Sequence, residues 1–129
     1  EKIYKHLKKK NKKVLQTLEK KFLFERRGFG KKIFLKPIFS KNKKKILFRY
    51  LREYIETAYK QKNRALDIKR LDALDTLDKL MKKKKFQHVD KISKGDLIIL
   101  NNNVMAHGRS PFSLEQNTKN RSLIRLWIR

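Results

Sequence analysis

The sequence has no cysteine, few acidic residues and no long apolar run. Without cysteine, a disulfide framework and a cysteine-based metal site are both excluded. The apolar runs are far shorter than the ~20 residues of a membrane-spanning helix, and no signal-peptide pattern is visible. A chain of 129 residues is also at most one domain. These features favour a protein of the reducing cytoplasm that makes no membrane contact.

Acidic residues are scarce beside basic ones, with 12 Asp and Glu against 37 Lys and Arg and a net charge of +25. Such a balance favours an anionic partner. The excess is mostly lysine, in runs at residues 8–10, 43–45 and 82–85, and this lysine-rich mixture with Asn, Ile and Phe is also what an AT-rich coding sequence produces. No zinc-finger spacing or RNP-like strand is present. Coding bias and a basic binding module for nucleic acid or an acidic partner therefore both remain open.

Apolar spacing in the first two thirds of the chain predicts helices. Gaps of four and seven indicate a helix over residues 3–22, broken near Lys10 and Asn11, and a helix or a strand passing into one over residues 46–59. A further helix is predicted from about residue 64 to residue 83. Aspartates interleave with its leucines, and we predict that they pair with nearby Lys and Arg rather than bind a metal ion. These aspartates are Asp67, Asp72, Asp75 and Asp78.

Two short β-type runs, residues 22–24 and 33–35, bracket a stretch that contains Gly28 and Gly30. The glycines permit a turn, so a hairpin or two loop-linked strands are predicted. The two glycines alone do not indicate a nucleotide-binding loop, because no following helix carries a third. Pro37 limits pairing beyond the hairpin, and an edge-like segment is predicted to begin at Ile38.

The terminal stretch, residues 95–129, places a polar cluster between two apolar runs that resemble strands, residues 97–100 and 123–128. Side chains two apart on a strand share a face, so Arg121 and Arg125 project together while the other face is apolar from Ile124 onward. Two cations on a half-buried face are costly unless an anion meets them. The Arg fork suits a carboxylate, so a bound dicarboxylate would resolve that cost. The polar cluster contains Asn102, Asn103, His107, Gly108 and Arg109.

The letters of this stretch, GDLIILNNNVMAHGRSPF followed by RSLIRLWIR, resemble the C-terminal end of the taurine dioxygenase-like family of iron(II)- and 2-oxoglutarate-dependent oxygenases. In that family a strand after a Gly-Asp turn leads to the distal iron-binding histidine within an HGR-type motif, and a later arginine binds 2-oxoglutarate. Arg121 follows His107 by fourteen positions, within the family's usual range. Weaker matches at KPIF, FRYLREYIETA and ALDTLDKL extend the resemblance over most of the chain.

The resemblance implies an α+β fold, the C-terminal part of a double-stranded β-helix (jelly roll) with flanking helices. Residues 1–129 would form a single partial domain whose core motif region is 95–129. Its strands would include residues 97–100, 104–108 and 121–128, with the helix at residues 64–83 buttressing them. Family members are longer and this chain begins with Glu, so a fragment is expected, with the first two iron ligands upstream.

The resemblance also assigns roles to individual residues. His107 would be the distal iron ligand, Arg121 would bind the distal carboxylate of 2-oxoglutarate, and Arg125 would be a second contact. Fe(II) suits such a site because a facial triad leaves coordination positions open. Oxidative decarboxylation of 2-oxoglutarate would yield succinate and an iron-bound oxidant. That oxidant would hydroxylate a C–H bond of a small-molecule substrate. Asn102 and Arg109 also match family motif positions and would support the site.

One local pattern mimics the missing ligands. His88 and Asp90 spell H-x-D, the pattern of the first two iron ligands, and with His107 they would complete a triad on paper. The family's H-x-D lies on an early barrel strand far from the distal histidine, whereas only seventeen residues separate Asp90 from His107 here. We therefore expect residues 86–92 to form a loop or edge strand, and the chain alone to be inactive without an upstream H-x-D strand.

Overall fold

Two helices, two strand hairpins and two further helices follow one another in the computed structural model, which describes residues 1–26, 32–43, 45–108, 124 and 126. The helices are α1 (Lys2–Lys10), α2 (Lys12–Leu18), α3 (Arg52–Gln61) and α4 (Ile68–Met81). The strands are β1 (Lys21–Arg26), β2 (Lys32–Pro37), β3 (Phe39–Asn42) and β4 (Lys45–Phe48). A 3-10 turn, Lys84–Phe86, follows α4.

The predicted break in the first helix is confirmed at Asn11. This residue ends α1 and caps α2, because its side-chain oxygen accepts a hydrogen bond from the backbone N–H of Val14 at 3.2 Å. The predicted extension of the helix to Phe22 is wrong, since α2 ends at Leu18. Phe22 lies on β1 and is fully buried there. Its position continues the apolar stripe of the helix and also suits the inward face of the strand, so the sequence pattern did not distinguish the two.

The hairpin predicted around residues 22–35 is confirmed. β1 and β2 are antiparallel, and the opposed rings of Phe24 and Phe34 stack with centroids 5.7 Å apart. A second antiparallel pair follows, in which Phe39 of β3 faces Phe48 of β4. The stretch at residues 46–59 is a strand passing into a helix, β4 followed by α3, as its pattern allowed.

Ile38 lies between the two hairpins and is fully buried. Its N–H donates to the carbonyl of Leu18 at 3.0 Å, which satisfies one of the carbonyls left unpaired at the end of α2. Its own carbonyl accepts from the N–H of Arg49 at 2.9 Å. Because both backbone groups of Ile38 are satisfied, the chain can cross the core here without an orphaned polar group.

The helices cover the strands from two directions. α3 packs against β1, and α4 packs against α2. Thr17, near the end of α2, lines the same groove as residues 66–70, so the end of α2 lies close to the start of α4. The side chain of Asp67 caps α4 by accepting from the N–H of Arg70 at 2.8 Å. The guanidinium of Arg70 lies 5.6 Å from the ring centroid of Phe22.

The mixture of helices and small antiparallel sheets is compatible with the predicted α+β class. The predicted strands at residues 97–100 and 104–108 are wrong, because the structure has irregular backbone in both. A strand forms only where a neighbour receives its backbone hydrogen bonds, and none pairs with these runs within the described residues. Leu97 and Ile99 are accordingly 84% and 77% exposed.

The remaining predicted strand, residues 121–128, lies outside the described residues apart from two exposed positions, Ile124 and Leu126. A jelly roll is therefore not confirmed. No helix in the described part of the chain is long and apolar enough to span a membrane.

Replacing Leu77 by Ala tests the core on α4. Leu77 is fully buried, so the substitution should lower the free energy of unfolding by about 2–5 kcal/mol, through lost burial and the cavity left behind. Leu71→Ala is the control on the same helix, because Leu71 is 37% exposed, and should cost about 1 kcal/mol or less. Urea unfolding of both variants measures the difference, and equal losses would contradict the packing described.

Candidate functional site

The segment that carries the predicted site, residues 87–108, is built from turns. The first contains the predicted Gly-Asp pair: Asp96 accepts a 2.6 Å hydrogen bond from the N–H of Ser93 through its side chain, and its own N–H donates to the carbonyl of Ser93 at 3.2 Å. Gly95 has φ +92°, a conformation that residues with a side chain rarely adopt. Glycine at this position therefore follows from the shape of the turn.

The asparagine cluster forms the second turn. The side chain of Asn101 accepts from the N–H of Asn103 at 3.0 Å, and its carbonyl accepts from the N–H of Val104 at 3.1 Å. The carbonyl of Asn103 in turn accepts from the N–H of Phe48 at 2.7 Å. This bond attaches the turn to the end of β4. Asn102, which matches a family motif position, is exposed.

The predicted iron ligand, His107, lies four residues beyond that anchor on irregular backbone and is exposed. The predicted 2-oxoglutarate contacts, Arg121 and Arg125, lie outside the described residues, as does Arg109. The strand expected to carry His107 is absent, and an approach of His107 to Arg121 stays a prediction.

The H-x-D pair lies on the irregular chain before the first turn. His88 Nε2 is 4.0 Å from Asp90 Oδ2, and the two side chains are 92% and 80% exposed. Across residues 1–26, 32–43 and 45–108, no three His, Asp or Glu side chains are close enough to hold one metal ion. The described residues therefore do not fit Fe(II) by themselves, and we derive no catalytic step through the metal from them.

The third histidine, His6, lies on α1, away from the apolar stripe of the helix, a position that predicts solvent exposure. It is instead half-buried, with its ring centroid 5.2 Å from that of Phe86 in an edge-on contact. Desolvation lowers the pKa of His6, and the positive charges of Lys85 and Lys83 lower it further. The ring therefore favours the neutral form. The helical pattern of α1 could not reveal this contact because Phe86 is distant in the sequence.

The densest polar cluster among the described residues joins α3 to α4 around Arg52. Its guanidinium binds three carboxylates, Glu56 at 2.7 Å, Asp75 at 2.5 Å and Asp78 at 2.9 Å. The hydroxyl of Tyr50 donates to the other oxygen of Asp78 at 2.6 Å. Grouped carboxylates can suggest a metal site, but here a guanidinium already occupies their centre.

The electrostatics of this cluster agree with a structural role. Hydrogen bonds to Glu56 above all raise the pKa of Arg52 beyond its ordinary range, so it remains charged. Burial, and then the hydrogen bond to Asp78, raises the pKa of Tyr50 well above its usual range. The prediction that the aspartates of α4 pair with basic residues is confirmed for Asp75 and Asp78, and for Asp67, which pairs with Arg70.

Sequence reasoning assigned no role to Arg52. The spacing of Arg52 and Glu56, four positions apart on a helix, is a signal for one of its three partners. The other two partners lie on α4, more than twenty positions away, and no periodicity in a single sequence links them to Arg52. The aspartates were identified, but their common partner was not.

Replacing Arg52 by Met tests this cluster. The variant should lose about 1.5–3 kcal/mol of unfolding free energy, because charge-assisted hydrogen bonds disappear and the carboxylates of Asp75 and Asp78 are left without their cation. Lys5→Met is the control: among the described residues Lys5 pairs with Glu1, both side chains are more than 60% exposed, and the loss should be much smaller than at Arg52. A loss at Lys5 as large as at Arg52 would contradict the role given to the cluster.

Comparison with known proteins adds one finding to this geometry. The family model described as "Taurine catabolism dioxygenase TauD, TfdA family" matches residues 1–127. The match takes in the packed helices and hairpins as well as the stretch from the Gly-Asp turn to His107. No curated protein matches the chain.

Proposed function

The chain belongs to the taurine catabolism dioxygenase TauD, TfdA family, and we propose that it acts in the Fe(II)- and 2-oxoglutarate-dependent hydroxylation of a small-molecule substrate. The family match over residues 1–127 is the observation that carries the proposal. In this proposal, the chain forms the C-terminal part of the catalytic domain. The GD, NN and HGR motifs within residues 95–109 support the proposal further, because each resembles a motif of the family.

His107 is the residue we propose as a metal ligand. Imidazole is the commonest protein ligand for such ions, and His107 is exposed within the segment that matches the family motif. The Asn103 to Phe48 hydrogen bond holds the chain four residues before it. When bound, Fe(II) supplies the chemistry that couples decarboxylation of 2-oxoglutarate by O₂ to hydroxylation of a C–H bond, giving succinate and CO₂.

Arg121 and Arg125 are the residues we propose for 2-oxoglutarate. The family resemblance supports Arg121 as the partner of the distal carboxylate, and same-face spacing supports Arg125 as a second contact. Their work would be to bind and orient the cosubstrate. A guanidinium suits this because its planar fork donates two parallel hydrogen bonds to one carboxylate.

Turnover tests the metal assignment. The 129-residue chain alone should form no succinate from 2-oxoglutarate with Fe(II) and O₂, because its described residues do not gather three metal ligands. Joined to a family segment that carries an H-x-D pair, it should form succinate, and His107→Ala should abolish this. Chromatography of succinate measures both results.

The other histidines provide matched controls for this experiment. His6→Ala and His88→Ala should leave succinate formation by the joined protein unchanged. Succinate formed by the short chain and lost in His88→Ala would show that the local H-x-D pair is a ligand set. A joined protein that stays active without His107 would remove the metal assignment.

Removing either arginine tests the 2-oxoglutarate assignment in the same joined protein. Arg121→Ala removes a bidentate charge-assisted contact worth about 2–4 kcal/mol, so the apparent constant for 2-oxoglutarate should rise about 30- to 1,000-fold. Arg121→Lys should recover only part of the loss because lysine lacks the planar fork. Arg125→Ala should have a smaller effect. Unchanged 2-oxoglutarate dependence in Arg121→Ala would refute the assignment, and a larger loss at Arg125 would reverse the two roles.

A further inference from the structure

Two lysine-rich stretches that are distant in the sequence meet at one end of the fold. α1 approaches the segment that follows α4, because the rings of His6 and Phe86 are in contact. Residues 8–13 surround the α1 to α2 break, and residues 82–85 follow α4 directly. We call their nine lysines the lysine patch. They are Lys8, Lys9, Lys10, Lys12, Lys13, Lys82, Lys83, Lys84 and Lys85.

Contacts around His6 show directly that the two stretches approach each other. The ring of His6 meets the ring of Phe86 edge-on with centroids 5.2 Å apart. The Nζ of Lys85 lies 5.0 Å from the centre of the Phe86 ring. Desolvation lowers the pKa of His6, and positive charge from both stretches, including Lys10 and Lys83, lowers it further. The patch thus surrounds a pair of partly exposed aromatic rings.

The patch has almost no negative charge to balance it. No Asp or Glu occurs between residues 2 and 18 or between residues 79 and 89. All nine lysines are exposed, and in the part of the chain that the structure describes no ion pair joins any of them to a carboxylate. Like charges held together repel one another and destabilise the folded chain, so an anion that bridges them is favoured.

We propose that the lysine patch binds single-stranded nucleic acid through its phosphate backbone, with His6 and Phe86 providing a surface for the bases. Lysine ammonium groups meet phosphates as point charges and do not read base edges. Aromatic rings within a basic surface are the arrangement on which unpaired bases stack, irrespective of sequence. An acidic peptide would satisfy the lysines but would make no use of the rings.

The lysine patch is separate from the proposed oxygenase site. It lies entirely within residues 6–86 and includes none of His107, Arg121 and Arg125. Nucleic-acid binding and 2-oxoglutarate turnover are therefore independent properties, and loss of one leaves the other in place. The patch also gives the lysine excess a spatial arrangement, which composition alone does not provide.

Salt dependence measured on the full chain tests the proposal. A fluorescein-labelled oligo(dT) strand should bind, by anisotropy, with an affinity that falls steeply between about 50 and 200 mM salt, as counterions are released. The patch variant, with Lys83, Lys84 and Lys85 each replaced by Gln, should bind at least about tenfold more weakly at low salt. Its slope of log affinity against log salt should be shallower by about 2, since each phosphate contact on a single strand contributes about 0.7.

A charge-matched variant separates the patch from net charge. Replacing Lys60, Lys62 and Lys94 by Gln removes the same charge from exposed positions outside the patch, and should weaken binding much less. An equal loss in the two variants would overturn the proposal, as would no measurable binding by the unaltered chain. Circular dichroism of both variants confirms that each retains its helices.

Competition and chemical shifts identify the partner and the place. Unlabelled oligo(dT) should displace the probe better than duplex DNA or poly-glutamate of equal charge. Phe86→Leu should weaken oligo(dT) more than it weakens poly-glutamate. On binding, the imidazole NMR signals of His6 should shift while those of His88 do not. Poly-glutamate or anionic phosphatidylserine vesicles that compete as well as oligo(dT), or an unmoved His6 signal, would refute a nucleic-acid site here.

Discussion

Electrostatic repulsion among basic side chains is the constraint on which the arrangement of this chain depends, because only 12 carboxylates are present to offset 37 cations. Several of the carboxylates join elements that are distant in sequence. Asp75 and Asp78 hold Arg52 between α4 and α3, Glu19 accepts from Tyr4 of α1 at 2.9 Å, and Glu25 of β1 accepts from the end of α3. The scarce negative charge thus lies at tertiary contacts, and the surplus lysines remain on the surface.

Local patterns predicted the helices and the first hairpin because their signals lie within a few residues. Asn11 interrupts one apolar stripe and caps the next, and the period of the apolar residues changes where β4 passes into α3. The strands predicted at residues 97–100 and 104–108 failed for the opposite reason. Their apolar residues suit a strand, but a strand exists only when a second strand pairs with it. The sequence of the run itself does not show which segment that is.

The same distinction separates what was found from what was missed at the candidate site. The Gly-Asp turn before the site was predicted from two adjacent letters and is present around Gly95. The two α4 partners of Arg52 and the ring contact of His6 required the whole fold, since their members are distant in the sequence. Family membership itself followed from motif letters, and the model that matches residues 1–127 confirms it.

The hydrogen bond from Phe48 to Asn103 has a consequence for how the chain opens. Among the described residues it is the only backbone bond between residues 88–108 and the packed helices and hairpins. Segments held by few bonds open locally at far lower free energy than the core unfolds. Residues 88–108, which include His107, can therefore separate from the core while α1 to α4 stay folded. The rate at which the Phe48 amide exchanges with solvent deuterium reports that opening.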